Sequence, residues 1–499
     1  LPRASRETRC RGPAILALLA LGAASSVAIA GDAKVDLPGK NAKWIRLDAL
    51  TFVIFSDASP KKASELAVRL QQFQAVLSQL GLELRSDSAL PLYVYLFKGK
   101  ESFEPYQLPG AVAYFVRGPF ARYIAVSATP TASTSGNPAV QWANSYTFHP
   151  YSDLYHELVH DALAHNFARV PSWLNEGLAQ YYSTFDVSKG AATFGRATPF
   201  AIHRLRHEPW FSLDVLLTAE VRHGQADGEE DEEITERKRV FYAQSWALVN
   251  YLLTGEPARR AAFFEYFRRI QAGDPSDQAF RDTFSIGFDE LEAELRAYVQ
   301  GDRIGYASVD VPEREIGQQP EARRLSQAEI LFHLGDLLME RRLIDQAAAH
   351  FEYALELDPA LAAAHYGIGR IEDARGEHGP AEASHRRAIE LDPENYLFHV
   401  GLGLNRAALL EESNDVEVRA EATAALSRAI RMQPEAAEAY VAFGRLYLTE
   451  PQYVPGGEAA LRKAWALLPD RTDIACSLSL LYLKKGDRAS AQQLAGEAI

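Results

Sequence analysis

Apolar and polar residues change rhythm along this chain, and the changes divide it into three regions. From Lys43 to about Val140 short apolar runs alternate with one helical stretch. Phe52-Val53-Ile54-Phe55 and Tyr93-Val94-Tyr95-Leu96-Phe97 predict strands. Between them Leu66, Leu70, Phe73, Leu77 and Leu80 recur at steps of three and four, the period of an amphipathic helix, with Gly81 as its stop. Two further β-rich runs, Ala111–Val116 and Tyr123–Ser127, flank Gly118-Pro119 and predict a hairpin. Pro130 to Pro138 reads as a loop. From Tyr151 to about Gln300 the pattern is helical, interrupted by the acidic stretch His223 to Glu233. That stretch lacks the spaced oxygen ligands of an EF-hand and reads as a solvated loop. Gly301 to Arg324 carries little periodicity and reads as a linker.

Beyond the linker the pattern repeats. Pro359, Pro393, Pro434 and Pro469 are separated by 34, 41 and 35 residues. Small residues hold fixed columns before each proline: Ala347 and Ala354, Ala381 and Ala388, Ala422 and Ala429, then Ala464. A period near 34 with these columns identifies tetratricopeptide repeats. A fifth unit runs from Thr472 to Ile499, and the seven extra residues of the third are expected in a turn at Glu411–Glu417. Stacked repeats predict a curved solenoid with a concave binding face.

The expected architecture is therefore α+β followed by an all-α solenoid. Its expected parts are a signal peptide (1–30), an N-terminal α/β subdomain (31–140), a helical subdomain (141–300), a linker (301–325) and the repeats (326–499). The signal reading rests on Arg3, Arg6, Arg9 and Arg11, the apolar core Ala14–Ala24, and the small-x-small site Ala28-Ile29-Ala30. It implies export to the periplasm or outside the cell, with no transmembrane segment once the signal is removed. Removal of that segment leaves Cys476 as the remaining cysteine and excludes an internal disulfide. The 499-residue chain is 47% hydrophobic, enough for sizeable cores, and its formal charge of −14 argues against nucleic acid as a general partner.

The chemistry concentrates in His156-Glu157-Leu158-Val159-His160. On a helix, residues four apart share a face, so two imidazoles can bind one Zn²⁺, with Glu157 within reach of a metal-bound water. The bland alternative is a helix whose histidines only satisfy hydrogen bonds. Pro171-Ser172-Trp173-Leu174-Asn175-Glu176-Gly177-Leu178-Ala179 starts a second helix, and Glu176 lies sixteen residues after His160. A turn between antiparallel helices can return this carboxylate as third ligand. Asp161 and Asn175 are candidates to orient ligands, and Tyr242, His203 and His207 to stabilise an oxyanion. Tyr123–Ser127 is either a substrate-pairing edge strand or a core strand.

The strings HELVH and PSWLNEGLA resemble the gluzincin metallopeptidases of the peptidase MA-like group, strongly over Tyr151 to Tyr182 and only in general layout elsewhere. The resemblance implies a zincin-type peptidase with zinc on His156, His160 and Glu176, Glu157 as general base, and a peptide or protein substrate. The repeats would recruit that substrate or a protein partner. The alternative is a repeat-based interaction scaffold whose metallopeptidase-like domain is inactive.

Overall fold

Alternating apolar residues in five short runs build the centre of a mixed sheet. In this computed structural model the described residues are 37–38, 43–78, 90–108, 113–129, 151–167, 170–220, 232–284, 286–311, 320–413, 415–448, 450, 454–469 and 471–497. The expected signal peptide, the Pro130–Pro138 loop and most of the acidic stretch from His223 lie outside them.

Strands β1 (Ile45–Asp48) and β2 (Phe52–Ser56) are antiparallel. Helix α1 (Pro60–Ser78) then crosses to β3 (Leu92–Phe97), which runs parallel to β2. Leu66, Leu70, Phe73 and Leu77 are all buried on α1, at the spacing the sequence shows. A short helix, α2 (Lys100–Phe103), precedes β4 (Ala113–Arg117) and β5 (Arg122–Ser127). β5 is parallel to β3 and is buried along its whole length. The sheet order β4-β5-β3-β2-β1-β9 places β5 inside and β4 at the rim. Tyr123–Ser127 is thus a core strand, not an edge, because β4 occupies the side on which an extended peptide would have to pair.

The helical part follows with α3 (Ser152–Asn166), α4 (Ser172–Ser183), a hairpin of β6 (Asp186–Ser188) and β7 (Ala191–Phe194), and helices α5 (Pro199–His207), α6 (Leu213–Thr218), α7 (Glu232–Thr254), α8 (Pro257–Gln271), α9 (Ser276–Phe284) and α10 (Phe288–Gln300). The hairpin turns on Lys189 and Gly190, both at positive φ, the backbone a two-residue turn requires. The stretch read as a linker is not one throughout. Residues Ala307–Asp310 form β8 on β7, and Ala322–Arg324 form β9 on β1. Three- and four-residue strands are too short to show periodicity, and their partners lie far away in sequence. One hydrophobic core runs from Leu47 to Val311 across sheet and helices. It defines a compact unit of residues 45–116 and 121–324.

The second unit centres on residues 325–499. Five antiparallel helix pairs follow one another: α11 (Gln327–Glu340) with α12 (Ile344–Leu357), α13 (Ala362–Ala374) with α14 (His378–Leu391), α15 (Tyr396–Ser413) with α16 (Val416–Met432), α17 (Ala437–Leu446) with α18 (Pro455–Leu467), and α19 (Thr472–Lys485) with α20 (Arg488–Glu497). The first pair opens on a capping box of Ser326 and Glu329. The extra residues of the third pair lengthen its helices to 18 and 17 residues rather than enlarging a turn. Gly335 and Gly369, 34 residues apart, allow close approach within a pair: a Cβ would fall 2.7 Å from the Phe351 ring at the first and 2.7 Å from the His385 ring at the second.

Burial also sets a pH response in this unit. His350 is buried, its ring N–H donating to the Gln346 carbonyl at 2.8 Å, and burial pushes its pKa from 6.5 down to about 4. The unfolded chain therefore binds the proton first as pH falls. Stability from this residue is fully present above pH 6.5 and is lost progressively toward pH 4, by about 3 kcal/mol. The urea midpoint of the parent should fall relative to that of His350→Leu between pH 7 and pH 4.5.

Candidate functional site

Helix α3 buries Leu154, Tyr155, Leu158, Val159 and Leu163. That face fixes the helix against the core and leaves His156 and His160 half-buried on its flank, one turn apart. Phe167, in extended conformation, ends the helix. The chain turns at Pro171, whose carbonyl accepts from the Leu174 and Asn175 amides at 2.9 Å each, and α4 begins. Trp173, fully buried, packs on Tyr266 and Phe280 and anchors the start of α4 to α8 and α9.

The two helices bring three of the predicted residues together. Ligand atoms of His156, His160 and Glu176 lie within 4.8 Å of one another, and among the described residues this is the group of three or more His, Cys, Asp or Glu side chains that does so. The two Nε2 atoms are 3.0 Å apart, and the Glu176 oxygens lie 3.7 Å from His156 Nε2 and 3.5 Å from His160 Nε2. Four-coordinate zinc with ~2.0–2.1 Å bonds would separate neighbouring donors by about 3.3 Å, so the spacing suits a shared ion.

Asn175 supplies the orientation. Its side-chain oxygen sits 2.9 Å from His160 Nδ1, so the ring N–H donates there and leaves the Nε2 lone pair facing the cluster. Glu176 is 1% exposed, and burial, with the Glu157 charge added, raises its pKa to about 8. Burial and then Asp153 raise Glu157 to about 7. Two carboxyls enclosed beside two imidazoles are a donor set that a divalent cation would neutralise. For a zinc ion held by this cluster, Asn175→Ala should weaken binding about 10- to 100-fold without unfolding the chain, as read by competition with a chromophoric chelator.

Gly177 explains why Glu176 can reach inward. A Cβ at this position would sit 2.6 Å from the Ser245 carbonyl oxygen and 2.6 Å from a Val249 methyl carbon. Only glycine lets α4 lie this close to α7, and the sequence signal was the glycine directly after Glu176.

The remaining candidates fall elsewhere. Asp161 does not orient a ligand by any hydrogen bond found among the described residues. It pairs with Arg122 at the start of β5, and that guanidinium also donates to the Leu90 carbonyl at 3.0 and 2.8 Å. Arg122 was not recognisable in advance, being 39 residues from its partner. His203 and His207 are exposed on α5, stacked on each other with ring centres 4.5 Å apart. Tyr242 is half-buried on α7, one turn before Ser245.

This geometry defines a chain with C-terminal tetratricopeptide repeats whose other unit holds a two-helix His/Glu cluster. Residues 328–361 match the tetratricopeptide repeat family. Residues 152–277, which include the whole cluster, match a family described as Protein of unknown function (DUF1570). Among curated proteins the chain is similar to the Protein O-mannosyl-transferase TMTC1 of Mus musculus, 35% identical over 75 residues, and to that of Homo sapiens, 32% identical over 75 residues. Each match covers 15% of this chain but only 8% of the relative's length. Among solved structures, a thermophilic TPR protein of Thermus thermophilus is 26% identical, with a TM-score of 0.31, covering 34% of this chain and 89% of that one. Pseudomonas aeruginosa pilF is 22% identical, with a TM-score of 0.29, covering 34% and 72%.

Proposed function

We propose that this chain is a zinc-dependent peptide hydrolase of the gluzincin type whose repeats hold a protein substrate or partner. The observation that carries the proposal is the convergence of His156, His160 and Glu176 from two helices, with no fourth such side chain joining them among the described residues. Three protein donors and one open position are what a catalytic zinc site needs, whereas a structural site closes all four. A zinc ion held there supplies Lewis acidity to a water and to the scissile carbonyl. Asn175 fixes His160, and the pairing of α3 with α4 fixes the donors. Glu157, next to the first ligand, accepts the proton of the attacking water and returns it to the departing nitrogen. Export to the periplasm or beyond belongs to the same proposal and rests on the Arg-rich, then apolar, residues 1–30.

A second reading is an interaction scaffold whose first unit is catalytically silent. The repeat match favours it, and the comparisons support it more directly than they support hydrolysis. The intact Glu157 favours hydrolysis, because a scaffold has no use for a base beside a metal site.

One experiment separates them. Full-length protein loaded with zinc and freed of excess should hold one ion per chain at the cluster, lost in Glu176→Ala, and should cleave a casein-derived peptide pool. A chelator should stop cleavage and added zinc restore it. Bound zinc without cleavage would leave the scaffold; no zinc at the cluster would defeat the metal site itself.

A further inference from the structure

The repeats are not equivalent, and the fourth differs from the first three in one column. Four residues before the proline that closes each repeat stand Leu355, Ile389, Ile430 and then Trp465. The three aliphatic side chains pack half-buried against hydrophobic clusters that reach into the next repeat. Trp465 instead lines a pocket of about 290 Å³ between α18, α19 and α20, with Leu478 and Tyr482 on one side and Leu494 on the other. Three residues earlier on the same helix, the column reads Glu352, Arg386, Ser427 and Arg462. Arg462 lines the pocket too, 65% exposed, and lies 3.5 Å from the Tyr482 hydroxyl.

Arg462 is the charged side chain that lines this pocket, in a protein with a formal charge of −14. Two acids lie beside the pocket: Asp487 accepts from the hydroxyl of the lining Ser490 at 2.7 Å, and Glu458, nearly buried, is held by Lys485 at 2.9 Å. Arg462 is 3.7 Å from the same carboxylate, so most of its guanidinium faces outward. Trp, Tyr and Arg together are the side chains over-represented where proteins bind one another tightly. The volume suits one or two apolar side chains rather than a whole cofactor.

We infer that this pocket in the fourth and fifth repeats binds a segment of a partner protein carrying an aromatic or large apolar side chain next to acidic residues. The inference rests on the interaction role given to the repeats above, and not on hydrolysis. The apolar side chain enters between Trp465, Leu478 and Leu494. The acidic neighbours meet Arg462. The electrostatic part is weakened by salt, because Arg462 is solvent-exposed.

The repeat columns supply the variants for the test. Trp465→Ile and Arg462→Ser install residues that other repeats carry at the same positions, so both should melt like the parent. The probe is a fluorescein-labelled Gly/Ser dodecapeptide with a central Phe flanked by two Glu on each side, titrated with full-length protein. Controls replace Phe by Gly or every Glu by Lys. The parent should bind the probe at least tenfold more tightly than either control, and each variant should lose at least tenfold. Probe binding that neither variant weakens would overturn the pocket while leaving interaction through the repeats standing. Failure to bind the probe, or equal binding of the Lys control, would overturn the stated chemistry. Parent self-association that Trp465→Ile abolishes would make a second copy of the chain the occupant and overturn the inference as well.

Discussion

Glu157→Gln should lower hydrolysis of the casein peptide pool about a thousandfold while leaving one zinc per chain, within the 10²–10⁴ that a positioned base contributes. Gln keeps the shape and the hydrogen-bonding oxygen of Glu but cannot take a proton. His156, His160 and Glu176 keep their geometry, because α3 is held by its buried face and His160 by Asn175, neither of which involves Glu157. Zinc content by atomic absorption and kcat/KM therefore separate the two roles of this segment. Loss of zinc together with activity would make Glu157 part of the binding site. Unchanged hydrolysis would place the base elsewhere. The His156→Ala and Glu176→Ala variants supply the contrast, since each removes a donor and should lose zinc and activity together.

The cluster was legible because its signals are local. Four-residue spacing puts two histidines on one helical face, and a proline-serine helix start sixteen residues later brings a carboxylate back. The repeats were legible for a related reason, in that each column of small residues recurs at nearly constant spacing. What escaped the sequence is the pairing of distant segments. β8 and β9 lie in a stretch without periodicity, and each forms only because β7 or β1 offers an unpaired side. The position of β5 inside the sheet depends on β4, five residues earlier in the chain, taking the rim. The two long helices of the third repeat pair absorb residues that local pattern had assigned to a turn, because both helical periods simply continue. Near the cluster the same division holds. Gly177 is visible as a glycine beside the candidate Glu176, but the reason for it, the Ser245 carbonyl, arrives from α7.

The Arg122–Asp161 pair carries the largest expected effect on stability, and it links the sheet to the helix that bears the histidines. Both side chains are almost fully buried, at 9% and 5% exposure. Asp161 immediately follows His160, while Arg122 opens β5, so the ion pair and the two bonds to the Leu90 carbonyl set where α3 lies along the strand. The second carboxylate oxygen of Asp161 is buried with no hydrogen-bond partner among the described residues, so the carboxylate depends on this one guanidinium. Arg122→Leu strands a buried charge and should cost about 3–5 kcal/mol in urea denaturation of the full chain. Removing both charges, in Arg122→Leu with Asp161→Leu, should recover most of that loss, because two neutral side chains of suitable volume incur no desolvation of ions. Zinc affinity distinguishes a packing role from a positioning role. If the pair only stabilises the fold, the double variant binds zinc like the parent. If it also fixes the register of α3, the double variant regains stability and still binds zinc more weakly. A single-variant cost below about 1 kcal/mol would instead mean that water reaches Asp161, since that is the range of a solvated pair.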